Sequence, residues 1–136
     1  MPQKSPGMTI DIGGEGRHEE AWNINPSRIV TLGTNCGQPI PKLIVARADA
    51  LPFSESSVNS VILERTPLTT ATAREISRVV CSDGQVVLRH VPLPGRDRHQ
   101  SALQILAGTT QRNMTRVHGQ EVLETTILFS DENSRE

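Results

Sequence analysis

The stretch Met8-Thr9-Ile10-Asp11-Ile12-Gly13-Gly14-Glu15-Gly16-Arg17 decides how this chain is read. Apolar and polar residues alternate from Met8 to Ile12, the pattern of a β-strand, and the glycines at 13, 14 and 16 then end it in a tight turn. Such a turn leaves backbone without Cβ atoms at the carboxyl end of a strand, where a ligand can approach closely. The next apolar segment, Ala21–Asn25, reads as a second strand stopped by Pro26, and only about one helical turn of chain separates the two.

Further out, Ser27–Lys42 carries Gly33, Gly37, Pro39 and Pro41 without helical periodicity and reads as a loop, with at most an extended piece at Arg28–Leu32. Leu43–Ala48 is a third strand, followed by the turn Asp49-Ala50-Leu51-Pro52-Phe53. Val58–Leu63 has the continuous apolar run of a strand buried on both faces. Over Thr70–Val80 the spacing predicts a helix, with Ala71, Ile76, Val79 and Val80 on one stripe, Arg74, Glu75 and Arg78 toward water, and Asp83-Gly84 as its stop. Gln85–Val91 is a fifth strand broken by Pro92-Leu93-Pro94-Gly95, and Arg98–Ala107 a second amphipathic helix ended by Gly108. Asn113–Val117 and Glu121–Phe129 flank the hairpin turn His118-Gly119-Gln120. The expected fold class is α/β, a mostly parallel twisted sheet with an antiparallel C-terminal hairpin. One domain over residues 8–129 stands between an N-terminal tail, residues 1–7, and a polar tail, residues 130–136.

Composition narrows the function classes. The aromatic fraction is 2%, from Trp22, Phe53 and Phe129, so platforms that stack bases are excluded. A net charge of -1 gives no electrostatic reason to bind bulk nucleic acid or an anionic membrane, and no apolar run is long enough to span a bilayer. Cys36 and Cys81 lie far apart with no CxxC, which reads as free thiols in a reducing cytoplasm. His18 stands beside Glu19 and Glu20 at a spacing that matches no common metal site, so no metal is expected.

The run Thr9–Arg17 resembles motif I of class I S-adenosylmethionine-dependent methyltransferases, in which the first strand ends in an acidic residue followed by a glycine-rich loop. Three further segments follow in the family's order. Ala48-Asp49-Ala50-Leu51-Pro52-Phe53 is similar to the stretch after strand three, Ser54–Leu63 to the approach through strand four, and Arg74–Leu88 to the helix, glycine turn and fifth strand. The resemblance implies a Rossmann-like methyltransferase sheet that binds S-adenosylmethionine. It assigns Asp11, Gly13, Gly14 and Gly16 to the loop around the methionine part, Asn25 to the ribose, and Asp49, Ala50 and Leu51 to the adenine. Glu64 at the end of strand four, toward the cofactor, and His90 at the end of strand five are the candidates to take a proton from a small or medium acceptor or to orient it. Trp22 either lines the cofactor pocket or fills a thinly covered face.

The chain departs from the family pattern in ways that matter. The glycine loop is a residue short, with Glu15 near a usual glycine position, and Asn25 stands where a carboxylate is expected. The helices after strands one and two are missing, so helices are depleted on one face of the sheet, and Val45, Val61, Ile62, Val86 and Val87 exceed what the remaining helices cover. A homodimer, a partner protein or the Pro/Gly loop is expected to cover that face. Glu64-Arg65-Thr66-Pro67 is not the Asn/Asp-Pro-Pro-aromatic signature of enzymes that methylate amino groups of nucleic acids. Beside a methyltransferase stand a catalytically degenerate fold that binds partners and a cyclase or isomerase on the same fold.

Overall fold

A computed structural model describes residues 7–31, 33–64, 66, 68–90, 104–106, 108–117 and 119–129. Its elements are β1 (Thr9–Ile12), β2 (Trp22–Ile24), β3 (Leu43–Ile44), β4 (Val58–Leu63), α1 (Thr70–Val79), β5 (Val80–His90), β6 (Thr109–Val117) and β7 (Gln120–Leu128). The strands form one sheet in the order β3-β2-β1-β4-β5-β7-β6. β1 to β5 pair in parallel, and β7 alone runs against its neighbours, antiparallel to both β5 and β6. Strand order reverses at β1, with β2 and β3 on one side and β4 and β5 on the other, and a crevice opens at the carboxyl ends of the strands at such a point.

Register assigns the two faces, because paired residues of neighbouring strands point the same way and successive residues alternate. Ile10 and Ile12 of β1 stand beside Val61 and Leu63 of β4, and these beside Val86 and Leu88 of β5. All six are buried, and with Ala73, Ile76 and Val79 of α1 they form the core. The opposite face carries Asp11, Asn23, Ser60, Gln85, Val87, Arg89, Glu124, Thr126 and Leu128. Its apolar residues include Ile62 and Val122, both buried, Leu43 and Val87, half-buried, and Leu128, 38% exposed.

That pattern corrects part of the expectation for the bare face. Val61 and Val86 belong to the helix side and are fully buried, and Val45 lies beyond the end of β3, exposed. Near β1 and β2 the opposite face is polar, and no helix among the described residues covers it. Loops lie there instead: Gly16 donates its N–H to Asn23 Oδ1, and Asn23 Nδ2 donates to the Pro41 carbonyl. The Ser27–Lys42 segment folds on itself through an Ile29–Pro39 bridge and buries Val30 and Ile40.

α1 is the only helix among the described residues. It starts at Thr69, whose hydroxyl accepts from the Thr72 N–H. It ends at Val79, earlier than Asp83-Gly84, since Val80 is already extended and pairs with Val58. Consecutive β-branched residues favour that switch to strand. Cys81–Gly84 then bulge out of the ladder, and pairing resumes five positions on, at Gln85 against Ser60. Within α1, Thr72 and Ala73 join Ile76 and Val79 in the core, while Ala71 is exposed. Nor do Glu75 and Arg78 simply face water: Arg78 donates to the carbonyls of Leu51 and Phe53, and Glu75 accepts the Leu51 N–H at 2.8 Å.

The C-terminal hairpin is present with a longer first arm than expected, beginning at Thr109. Of the helix expected over Arg98–Ala107, only Gln104–Leu106 lie among the described residues, and these form a turn. Cys36 and Cys81 are free, and no helix among the described residues is long and apolar enough to cross a membrane.

Candidate active site

The glycine turn shapes the site. Gly13, at φ 77°, follows β1 directly, donates its N–H to the Ile24 carbonyl at 2.7 Å and packs so close to Thr66 that a Cβ there would collide with Oγ1. Gly14 lies flat on Asp11 and Asn23, and a Cβ there would stand 2.6 Å from Asp11 Oδ2. These two positions need glycine for backbone conformation and close approach. The turn thereby seals β1 to β2 and leaves the strand ends open beyond it.

A crevice of about 680 Å³ lies there. It is lined by Ile12 and Gly13 from β1 and its turn, Ile24 and Asn25 from β2, Ala48 and Asp49 after β3, and Thr66, Thr69 and Thr72 between β4 and α1. Its volume falls within the range of small-molecule and cofactor sites, roughly 300–1,000 Å³. Of the residues expected in the loop, ribose and adenine roles, Gly13, Asn25 and Asp49 line it. Leu51 is buried in the core with its N–H on Glu75, Ala50 is exposed beside the turn, and Asp11, Gly14, Gly16 and Glu64 lie on the other side of the glycine turn. Trp22 is outside the crevice, with the Lys42 ammonium 5.1 Å from its ring centre.

Polar groups in the crevice are already tied to one another. Asn25 Nδ2 donates to the Gly14 carbonyl, and its Oδ1 accepts the Ser27 N–H. Asp49 is held by Arg47 in a two-pronged pair at 3.0 and 3.1 Å, and the Arg47 hydrogen bonds lower its carboxyl below the ordinary value. Glu15, which the sequence marked only as a departure, forms the far wall by accepting from the N–H and hydroxyl of Thr31.

A second polar constellation lies behind the glycine turn. Glu64, at the end of β4, accepts from His18 Nε2 at 2.8 Å and from Arg89 at 2.9 Å, with Arg17 3.6 Å away. Arg89 also donates to Glu124 at 2.7 Å. Burial acts to raise the Glu64 carboxyl, but the hydrogen bonds from His18 and Arg89 outweigh it and hold it below its ordinary value. Asp11 goes the other way. Burial first, then the charge of Glu64, push its carboxyl from 3.8 up to about 6, against the weaker pulls of His18, Arg17 and Arg89. The backbone of His90 ends β5 opposite Leu123, and its side chain lies outside the described residues. Arg17, Arg89 and Glu124 are site residues that sequence reasoning missed, and His18 was weighed only as a metal ligand beside Glu19 and Glu20 and set aside; the available signal was Arg17-His18 standing where the helix after strand one would begin.

No protein-family model matches the chain, and no curated protein matches it in sequence. Solved structures match its fold. An S-adenosylmethionine-dependent methyltransferase from Thermotoga maritima, described as a possible histamine N-methyltransferase, superposes with a TM-score of 0.64 at 12% identity, covering 93% of this chain and 84% of its own. A putative S-adenosylmethionine-dependent methyltransferase from Methanococcus maripaludis gives 0.60 at 13% identity, covering 92% and 78%. The 16S rRNA (adenine(1408)-N(1))-methyltransferase from Catenulisporales acidiphilia gives 0.59 at 12% identity, covering 92% and 86%. The chain has the class I S-adenosylmethionine-dependent methyltransferase fold.

Proposed function

We propose that the chain is an S-adenosylmethionine-dependent methyltransferase acting on a small or medium acceptor. One observation carries this reading: a crevice of about 680 Å³, at the point where strand order reverses, is lined by the glycine turn after β1, the end of β2 and the segment after β3. Its donor set fits the cofactor in outline. Gly13 of the turn borders the place of the methionine part, Asn25 retains unused donor and acceptor capacity for a ribose hydroxyl, and Asp49 borders the place of the base.

Bound there, S-adenosylmethionine supplies a methyl group on a sulfonium, and transfer needs chiefly an aligned acceptor and exclusion of water. In this reading Thr66 and Thr69 wall the approach, while Glu64, held by His18 and Arg89 on the other side of the glycine turn, takes no proton from the acceptor. His90 remains the candidate proton acceptor. A second copy or a partner protein is assigned to the open end of the polar face, at Val87 and Leu128.

One observation favours a second reading, a methyltransferase fold that serves as a partner-binding module without transferring methyl groups: Asn25 and Asp49 are both engaged within the chain. Incubation with S-adenosylmethionine and a panel of amine, hydroxyl and thiol acceptors separates the two. Acceptor-dependent release of S-adenosylhomocysteine supports the enzyme. Binding of the cofactor without release for any acceptor supports the module.

A further inference from the structure

The constellation behind the glycine turn contains a group that the methyltransferase reading does not use. Asp11 is 3% exposed, and among the described residues no side chain hydrogen-bonds its carboxylate, which feels Glu64, His18, Arg17 and Arg89 only as nearby charges. A carboxylate so enclosed and without a hydrogen bond is costly, and a bound ion is one explanation for keeping it. This one faces a small cavity lined by Asp11, Gly13, Gly14, Glu15, Arg17 and Glu64.

We propose that Asp11, His18 and Glu64 form a binding site for a divalent cation of the Mn²⁺ to Zn²⁺ series. One donor atom from each, an imidazole nitrogen and two carboxylate oxygens, lies within 4.8 Å of the others. A cation at about 2.0–2.2 Å from each donor needs them roughly 3–4 Å apart, so the widest separation has to contract by about 1–2 Å. Mixed nitrogen and oxygen donors suit that series better than Mg²⁺ or Ca²⁺, which favour all-oxygen shells.

Glu64 is already oriented for this. Arg89 holds its Oε2, which leaves Oε1 to the His18 side, and Arg89 is itself anchored on Glu124. Arg17 and Arg89 together do not cancel the charges of Asp11, Glu64 and Glu124, so the cluster keeps a negative balance. The ligands come from β1, β4 and the segment between β1 and β2 that replaces a helix. A cation there clips that segment to the sheet, the structural task the missing helix would perform. The neighbouring Glu19 and Glu20, both exposed, take no part.

The test uses the whole chain, stripped with a chelator and titrated with Zn²⁺, then Mn²⁺, by calorimetry and thermal melting, with no cofactor present. The expected result is one site with Kd below about 10 µM for Zn²⁺ and a melting temperature raised by about 5 °C at saturation. His18→Gln and Asp11→Asn are each expected to weaken binding at least about tenfold. His18 lies outside the sheet, so His18→Gln tests the site without altering a strand residue. Absence of binding at high micromolar Zn²⁺, or a His18→Gln protein that binds as tightly as the parent, overturns the proposal. Since the metal alone is the probe, neither result depends on whether S-adenosylmethionine binds.

Discussion

At Asp11 a residue quoted for cofactor binding turns out to bear a burial cost of its own. Its carboxylate lies under the glycine turn, beside Glu64 and without a hydrogen-bond partner among the described residues. In chelator-treated protein at pH 7, Asp11→Asn is therefore expected to raise stability by about 1–2 kcal/mol, read as a higher melting temperature. A fall would mean that the carboxylate has a stabilising partner. Gly13 makes the opposite case. Its positive φ and its contact with Thr66 Oγ1 leave no room for a methyl, so Gly13→Ala should cost about 1–3 kcal/mol in a urea titration. At this scale the sequence was informative where residue type forces backbone shape, as at Gly13 and Gly14. It was silent where the property depends on neighbours from distant strands: nothing local to Asp11, Glu64 or Arg89 announces that they meet.

Among the elements, α1 does two jobs, packing the core and clamping the turn that borders the crevice. Thr69→Ala removes its N-cap and should cost about 1 kcal/mol of unfolding free energy. Glu75 sits under the hydrogen bonds of Arg78 above all, with that of the Leu51 N–H, which outweigh its partial burial and hold its carboxyl below the ordinary 4.5. A folded-state value below the unfolded one stabilises the fold above the unfolded pKa, and that contribution disappears as pH falls through the folded value. Glu75→Gln is thus expected to be less stable than the parent by about 1 kcal/mol at pH 7, with the gap closing below about pH 4. Melting curves across that range check it. Strands β1, β2, β4 and the hairpin were legible from alternation and turn chemistry. The end of α1 was not, because Asp83-Gly84 carries a helix-stop signal that pairing of Val80 with Val58 overrides.

At the scale of the whole molecule the sheet of the fold is kept, and among the described residues polar loops take the place of helices on one face near β1 and β2. Depletion of helices could be read from the short gap between Ile12 and Ala21, but the remedy could not, since it consists of Asp11, Asn23, Arg89 and Glu124 meeting in three dimensions. Among the described residues the β5–β7 end of that face carries the partly exposed apolar side chains Val87 and Leu128, the place where the proposed reading puts a partner. Sedimentation equilibrium at high micromolar concentration is expected to show self-association that Leu128→Lys reduces; a single-chain mass for the parent contradicts that part of the reading. The central claim, that the crevice at the ends of β1, β2 and β3 holds S-adenosylmethionine, is tested most directly by calorimetric titration of the parent and Asp49→Ala proteins with S-adenosylmethionine and S-adenosylhomocysteine. Saturable one-to-one binding that is at least about tenfold weaker in Asp49→Ala is the result expected. No heat of binding at millimolar ligand, or equal binding by both proteins, would contradict it.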